Sequence, residues 1–207
     1  MRSSLGFHTI TLSLFLMDRE TKQLTEDFIK YSKKERCIQM YPNKNGNWVI
    51  KFHPMNMGIK WEICKDVWIN GFKSFFDIIN VTINPKILAN TRDYITAATY
   101  QDMDVAIANF NNIISKISPL LKNFDCYQLK RIDYCINFEL SELAPGCSPE
   151  QVMSLIRRSS IPTHYKEWTE YDDTSHRSKS RPSSFYLISP STNINCYSKY
   201  MQLQERS

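Results

Sequence analysis

Glycine is scarce in this chain. Only 5 of the 207 residues are Gly and 9 are Pro, too few for long flexible linkers. Short-range cysteine pairing is missing as well. The six cysteines (Cys37, Cys64, Cys126, Cys135, Cys147 and Cys196) lie far apart, with no C-x-x-C and no nearby Cys/His pair. That spacing excludes a zinc site of standard form. Several of them sit in apolar, strand-like runs, where a free thiol behaves as a small hydrophobe, so the expected compartment is reducing and cytoplasmic. The four histidines, His8, His53, His164 and His176, form neither His-x-His nor His-Glu-x-x-His. Each reads as an ordinary satisfied or exposed histidine. There is no P-loop, no G-x-G-x-x-G and no G-x-S-x-G, which argues against an NTPase, a Rossmann dehydrogenase and an α/β-hydrolase. No internal repeat and no low-complexity tract is present.

No stretch is long and apolar enough to span a membrane. The one imitation is at the N-terminus, where Arg2 precedes an apolar run from Leu5 to Met17. Within it Ile10, Leu12, Leu14 and Leu16 alternate with Thr9, Thr11 and Ser13. Alternation marks a strand, and no small-residue cleavage site follows, so a signal peptide is not expected.

What is present is enough for a core: 42% of the residues are hydrophobic and 13% aromatic, well outside the disordered class. The length fits one domain over residues 1–207. The net charge of +5, from 26 basic and 21 acidic residues, permits a polyanionic partner without requiring one.

Periodicity predicts strands over residues 7–17 and 59–65 and a helix over 21–36, with Leu24, Phe28 and Tyr31 on one side and lysines in its last turn. A hairpin is predicted from 37–41 and 47–53 around the turn residues 43–46. Residues 71–85 carry both helix-like and strand-like patches, and Pro85 forbids a helix running through it. Residues 101–121 read as a helix, whose stripe of Met103, Ile107, Phe110, Ile113 or Ile114, Ile117 and Leu120 reads as core packing. Residues 129–140 read as one strand. Ser148-Pro149-Glu150-Gln151 opens a further helix ending near Arg158, with Ser148 as N-cap and Gln151 closing a capping box. Residues 172–184 are a polar, exposed loop. Two strands follow, 185–188 and 193–197, and a helical pattern starts at Ser198, so the chain reads as a piece of something longer. The expected class is α+β, with a central, mostly antiparallel sheet and helices packed on one face.

Two strands could carry chemistry. On the first, Ile132, Tyr134, Ile136 and Phe138 share one face, and Asp133, Cys135, Asn137 and Glu139 the other. Two carboxylates and an amide in line suit a hard cation such as Mg²⁺ or Mn²⁺. The plainer reading is the wet face of an antiparallel strand. On the second, Asn193, Asn195, Tyr197 and Lys199 share a face. If the two strands paired, tyrosine, lysine and carboxylates would converge, and a phenol helped by a cation can attack a phosphodiester. Tyr200 competes with Tyr197 for that role, and Tyr197 is otherwise one of eleven tyrosines. Basic residues cluster as Lys130 with Arg131, Arg157 with Arg158, and Arg177, Lys179 and Arg181 in the serine-rich loop, a form suited to phosphate contact. Tyr165, Trp168 and Tyr171 could stack on unpaired bases or belong to the core.

Arg131-Ile132-Asp133 followed at a distance by Tyr197-Ser198-Lys199 and a helix resembles the plasmid and phage rolling-circle replication initiators of the Rep_trans type, relatives of the HUH endonucleases. The resemblance covers roughly the last third of the chain. It implies an HUH/Rep-like sheet fold and a DNA-binding initiator of DNA replication that nicks one strand with a tyrosine nucleophile and a divalent metal. Under it, Asp133 is a metal ligand and Glu139 a candidate second; Tyr197 is the candidate nucleophile and Lys199 its cationic neighbour. The partner would be single-stranded DNA or an origin hairpin. The chain departs from the wider HUH pattern in lacking a His-hydrophobic-His strand. A binding module of a mobile element or phage, with the same fold and no chemistry, is the alternative.

Overall fold

The computed structural model describes residues 5–32, 37–42, 46–54, 57–89 and 96–158 and, further on, residues 166–168, 170–171, 178–179, 184–189 and 192–197. It divides into two compact units, one of residues 4–137 and one that begins at Phe138.

The first unit is a six-stranded antiparallel sheet with helices against one face. Its strands are β1 (Leu5–Leu16), β2 (Ile38–Pro42), β3 (Trp48–Phe52), β4 (Ile59–Ile69), β5 (Ser74–Ile83) and β6 (Gln128–Ile136), in the order β2-β3-β4-β5-β1-β6. Its helices are α1 (Asp18–Ser32), the one-turn α2 (Pro85–Leu88) and α3 (Tyr100–Ile117). The expected α+β class and antiparallel sheet are therefore what the chain adopts.

Alternation explains which side is dry. Ile10, Leu12 and Leu16 of β1, Ile59, Trp61 and Ile63 of β4, and Ile79, Val81 and Ile83 of β5 are all buried. They meet Leu24 and Phe28 of α1 and Phe110, Ile114 and Ile117 of α3 in one cluster. At its centre Phe28 stacks on Phe52 at 4.3 Å between ring centroids, and Phe52 on Trp61 at 5.4 Å. Each such ring contributes about 1.5–3 kcal/mol by leaving water.

Helix ends follow the local chemistry. Thr99 caps α3 in a reciprocal box with Asp102, satisfying two of the amides a helix start leaves open. The helix stops before Pro119, with Ser118 as C-cap, and the Ser118 hydroxyl donates to Asp27 of α1 at 2.6 Å. The expected end near residue 121 is thus too late, because the proline ring cannot continue a helical ladder. Residues 71–73 form a turn and 74–83 strand β5, after which Asn84 and Pro85 open α2: the Asn84 side chain accepts from the Ile87 amide at 3.2 Å. The strand expected over 59–65 runs on to Ile69. The interruption is a bulge at Lys65 and Asp66, where Asp66 takes φ of 53° and its amide donates to buried Asp77 at 3.0 Å.

The strand expected over 129–140 is shorter than its pattern. β6 ends at Ile136, residues 137–139 are coil, and Glu139 is the N-cap of α4 (Leu140–Leu143). The boundary between the two units falls in this run.

The second unit contains α4, α5 (Pro149–Arg158) and the short strands β7 (Lys166–Trp168), β8 (Glu170–Tyr171), β9 (Ser178–Lys179), β10 (Ser184–Ile188) and β11 (Asn193–Tyr197). The capping box read from Ser148 and Gln151 is formed: the Ser148 amide donates to Gln151 at 2.7 Å and the Gln151 amide to Ser148 Oγ at 3.3 Å. A three-stranded sheet runs β11-β10-β7, and β8 pairs with β9. Most of the polar stretch 172–184 and the helical pattern from Ser198 lie outside the described residues. Among the described residues no helix is long and apolar enough to cross a membrane.

Candidate functional site

One face of the six-stranded sheet is covered by helices; the other is polar and half-exposed. Register says what lies on it. Thr9, Thr11 and Ser13 of β1 point away from the buried Ile10 and Leu12. Thr9 stands opposite Asp133, Thr11 opposite Arg131, and Ser13 opposite both Gln128 and Asn80. On β4, Lys60, Glu62 and Cys64 stand opposite Thr82, Asn80 and Ile78. Lys51 of β3 stands opposite Glu62.

A defect in the ladder adds a cation. Between Thr11–Arg131 and Leu12–Leu129 the register shifts, and Lys130 is the extra residue. A bulge of this kind keeps the residues on either side facing as before while re-aiming the inserted one. The Lys130 ammonium lies across the open face and donates to Asn80 Oδ1 at 3.0 Å. Asn80 Nδ2 in turn donates to the Cys64 sulfur at 3.7 Å. Burial pushes the Cys64 thiol up, and Glu62 adds to it, against the pull of Lys130 and the Asn80 contact.

The charges here are unevenly matched. Arg131 Nε pairs with Asp133 Oδ1 at 2.6 Å and Lys60 with Glu62 at 3.6 Å. Lys51 lies 5.5 Å from the centre of the Tyr41 ring. Lys130 meets a neutral amide. Among the described residues the face thus carries four cations, Lys51, Lys60, Lys130 and Arg131, and two carboxylates, Glu62 and Asp133.

Asp133 is on this face as its strand pattern implied, with Ile132 on the helix side opposite Ile10. Glu139 is off the strand, and its carboxylate accepts from the Ser141 hydroxyl at 3.0 Å. The two therefore do not stand in line on one strand. β11, which ends in half-buried Tyr197, pairs with β10, placing Tyr197 opposite Ser184; β6 pairs with β1. The pairing that would have put tyrosine and aspartate on one ladder is not formed. Arg158 is exposed at the end of α5, and Arg157 is in that helix with its side chain outside the described residues. Lys179 is in β9, opposite Glu170. Arg177, Arg181, Lys199 and Tyr200 lie outside the described residues. Among the described residues no three His, Cys, Asp or Glu side chains converge as a metal-holding group. Asp133 is paired with Arg131, and the Glu139 carboxylate accepts from Ser141.

Sequence reasoning missed Lys51, Lys60 and Asn80. The alternation of residues 59–65 put Lys60, Glu62 and Cys64 on one side, but nothing local says that β5 and β6 bring Asn80 and Lys130 beside them. Set against known proteins, the chain matches no family model, and no curated protein sequence matches it.

Proposed function

We propose that the protein binds single-stranded DNA on the open face of the six-stranded sheet, as a module of the replication-initiator kind. The observation that carries this reading is the excess of cations on that face, centred on Lys130 and Arg131. Partly exposed lysine and arginine neutralise phosphates and release their counterions. The threonines, serine and asparagine between them are donors able to reach phosphate oxygens. An antiparallel sheet with one half-wet face can accept an extended strand without rebuilding.

The catalytic form of the proposal adds nicking by Tyr197, with Tyr200 as its competitor. It draws support from Asp133, whose carboxylate faces the same open side, and it requires Arg131 to release that carboxylate before a divalent metal could use it.

Fluorescence anisotropy with a labelled single-stranded oligonucleotide tests the binding. Wild type should bind at moderate salt with affinity that falls as salt rises. Lys130→Ala with Arg131→Ala should weaken every sequence alike and reduce the salt slope by about 1.4. No binding by the wild-type chain would sink the reading. Incubation with Mn²⁺ or Mg²⁺, followed by a denaturing gel, tests nicking: a labelled covalent adduct lost in Tyr197→Phe identifies the nucleophile, and one lost only in Tyr200→Phe moves it. Binding without an adduct leaves the module and removes the enzyme.

A further inference from the structure

The open face does not end at its cations. Where β1 runs out and the β4–β5 hairpin turns, Phe15, Phe72 and Phe76 meet. Their ring centroids are 6.1 Å apart for Phe15–Phe72, 5.5 Å for Phe15–Phe76 and 5.6 Å for Phe72–Phe76. None is fully covered: Phe72 is 65% exposed and Phe15 39%. Phe15 stands opposite Ile78, two residues along β1 from Ser13, whose partner Asn80 holds the Lys130 ammonium. Two strand residues span about 7 Å. The aromatic corner and the cation row are therefore one continuous surface.

The corner is held in place. The Phe72 amide donates to the Ile69 carbonyl at 3.1 Å and the Lys73 amide to the Asn70 carbonyl at 3.4 Å. Lys73 accepts φ of 48°, a left-handed conformation unfavourable for a side-chain-bearing residue. On the other side of the hairpin the Trp68 indole donates to Asn70 Oδ1 at 2.8 Å. A turn that keeps a phenylalanine in water and fixes it against two others presents a prepared apolar surface, and such surfaces mark binding sites.

We propose that Phe15, Phe72 and Phe76 form a base-stacking subsite for single-stranded DNA at the end of the cationic face. The inference rests on the reading given under Proposed function and says what that reading leaves out, which is where the bases go. Charge complementarity selects the occupant. A strand whose phosphates follow Lys60, Lys130 and Arg131 reaches the phenylalanines within a nucleotide or two. Every base has a face that stacks on an aromatic ring, so the subsite is tolerant of sequence. An apolar protein partner would have no use for the adjoining cations.

The test compares two probes on the full chain: oligothymidylate of about 15 nucleotides and the same phosphodiester chain made abasic. Wild type should prefer oligothymidylate. Phe72→Ala, in an exposed turn, should bind oligothymidylate about tenfold more weakly, lose the preference over the abasic chain and keep the salt slope. Phe72→Trp should restore it, and Phe15→Ala should repeat the loss, with unchanged melting temperatures showing that both variants fold. Equal binding of the two probes by the wild-type chain overturns the subsite and leaves the phosphate-binding face intact. Failure of both probes removes the face and the subsite together. A wild-type dimer in sedimentation that Phe72→Ala dissociates would make the corner a contact between copies and overturn the proposal.

Discussion

Asp102 shows how much one side chain can hold. Its carboxylate accepts from the Thr99 amide at 2.8 Å and the Thr99 hydroxyl at 3.0 Å, and pairs with Lys86 at 3.0 Å. Partial burial pushes its carboxyl up, but the Thr99 contacts and the Lys86 ammonium outweigh it and hold it below the ordinary carboxylate value. A carboxyl lowered in the folded state contributes stability that is full above its unfolded pKa and is lost as pH falls through the folded one. In Asp102→Asn, stability at neutral pH should drop, and the further loss below about pH 4 should be smaller than in wild type, read from urea midpoints across pH. Thr99→Ala should cost about 1 kcal/mol in the same assay, the usual worth of an N-cap. The capping box of α3 was not read from the sequence, although Thr99 and Asp102 have its spacing. The equivalent box at Ser148 was, because Pro149 there marks the first helical position.

At the scale of elements, the strands of the first unit were legible because one of their faces is buried. Residues 7–17 and 59–65 alternate, and alternation survives wherever a sheet has a dry side. What period-two reading cannot see is a bulge or an early stop. β4 continues past its pattern because the Asp77 carboxylate takes up the displaced Asp66 amide. β6 stops short of its pattern at Ile136, and after three coil residues the chain turns into α4. Nor can it see which strand lies beside which: Asp133 and Tyr197 each sit on a strand in the place expected, but on different sheets. Close approach is equally silent in the sequence. A Cβ on Gly6 would lie 2.5 Å from Ala97 Cβ and 2.6 Å from the Ala98 carbonyl oxygen, beside the two-bond bridge between Phe7 and Ala98. The second of these contacts is backbone, so it cannot swing aside. Gly6→Ala should therefore destabilise the fold by about 1–3 kcal/mol, measured as a lowered denaturant midpoint with unchanged slope.

At the scale of the whole molecule, among the described residues every buried residue of the main core lies between Ile10 and Tyr127, within the first unit. Residues 4–137 expressed alone should unfold in one cooperative transition by circular dichroism in urea. A non-cooperative, sloping curve would show that the rest of the chain is needed to hold the sheet together.

The misregistered lysine on β6 has one more consequence, for spacing. A regular strand offers a given face only every second residue, so charges along it stand about 7 Å apart. By inserting Lys130 next to Arg131 and turning both the same way, the strand halves that interval at one point. Deleting the lysine would restore a regular ladder, leave Leu129 and Arg131 on the faces they already occupy, and return the strand to the coarser spacing. The irregularity is thus a device of density: it packs two positive charges into the length of one.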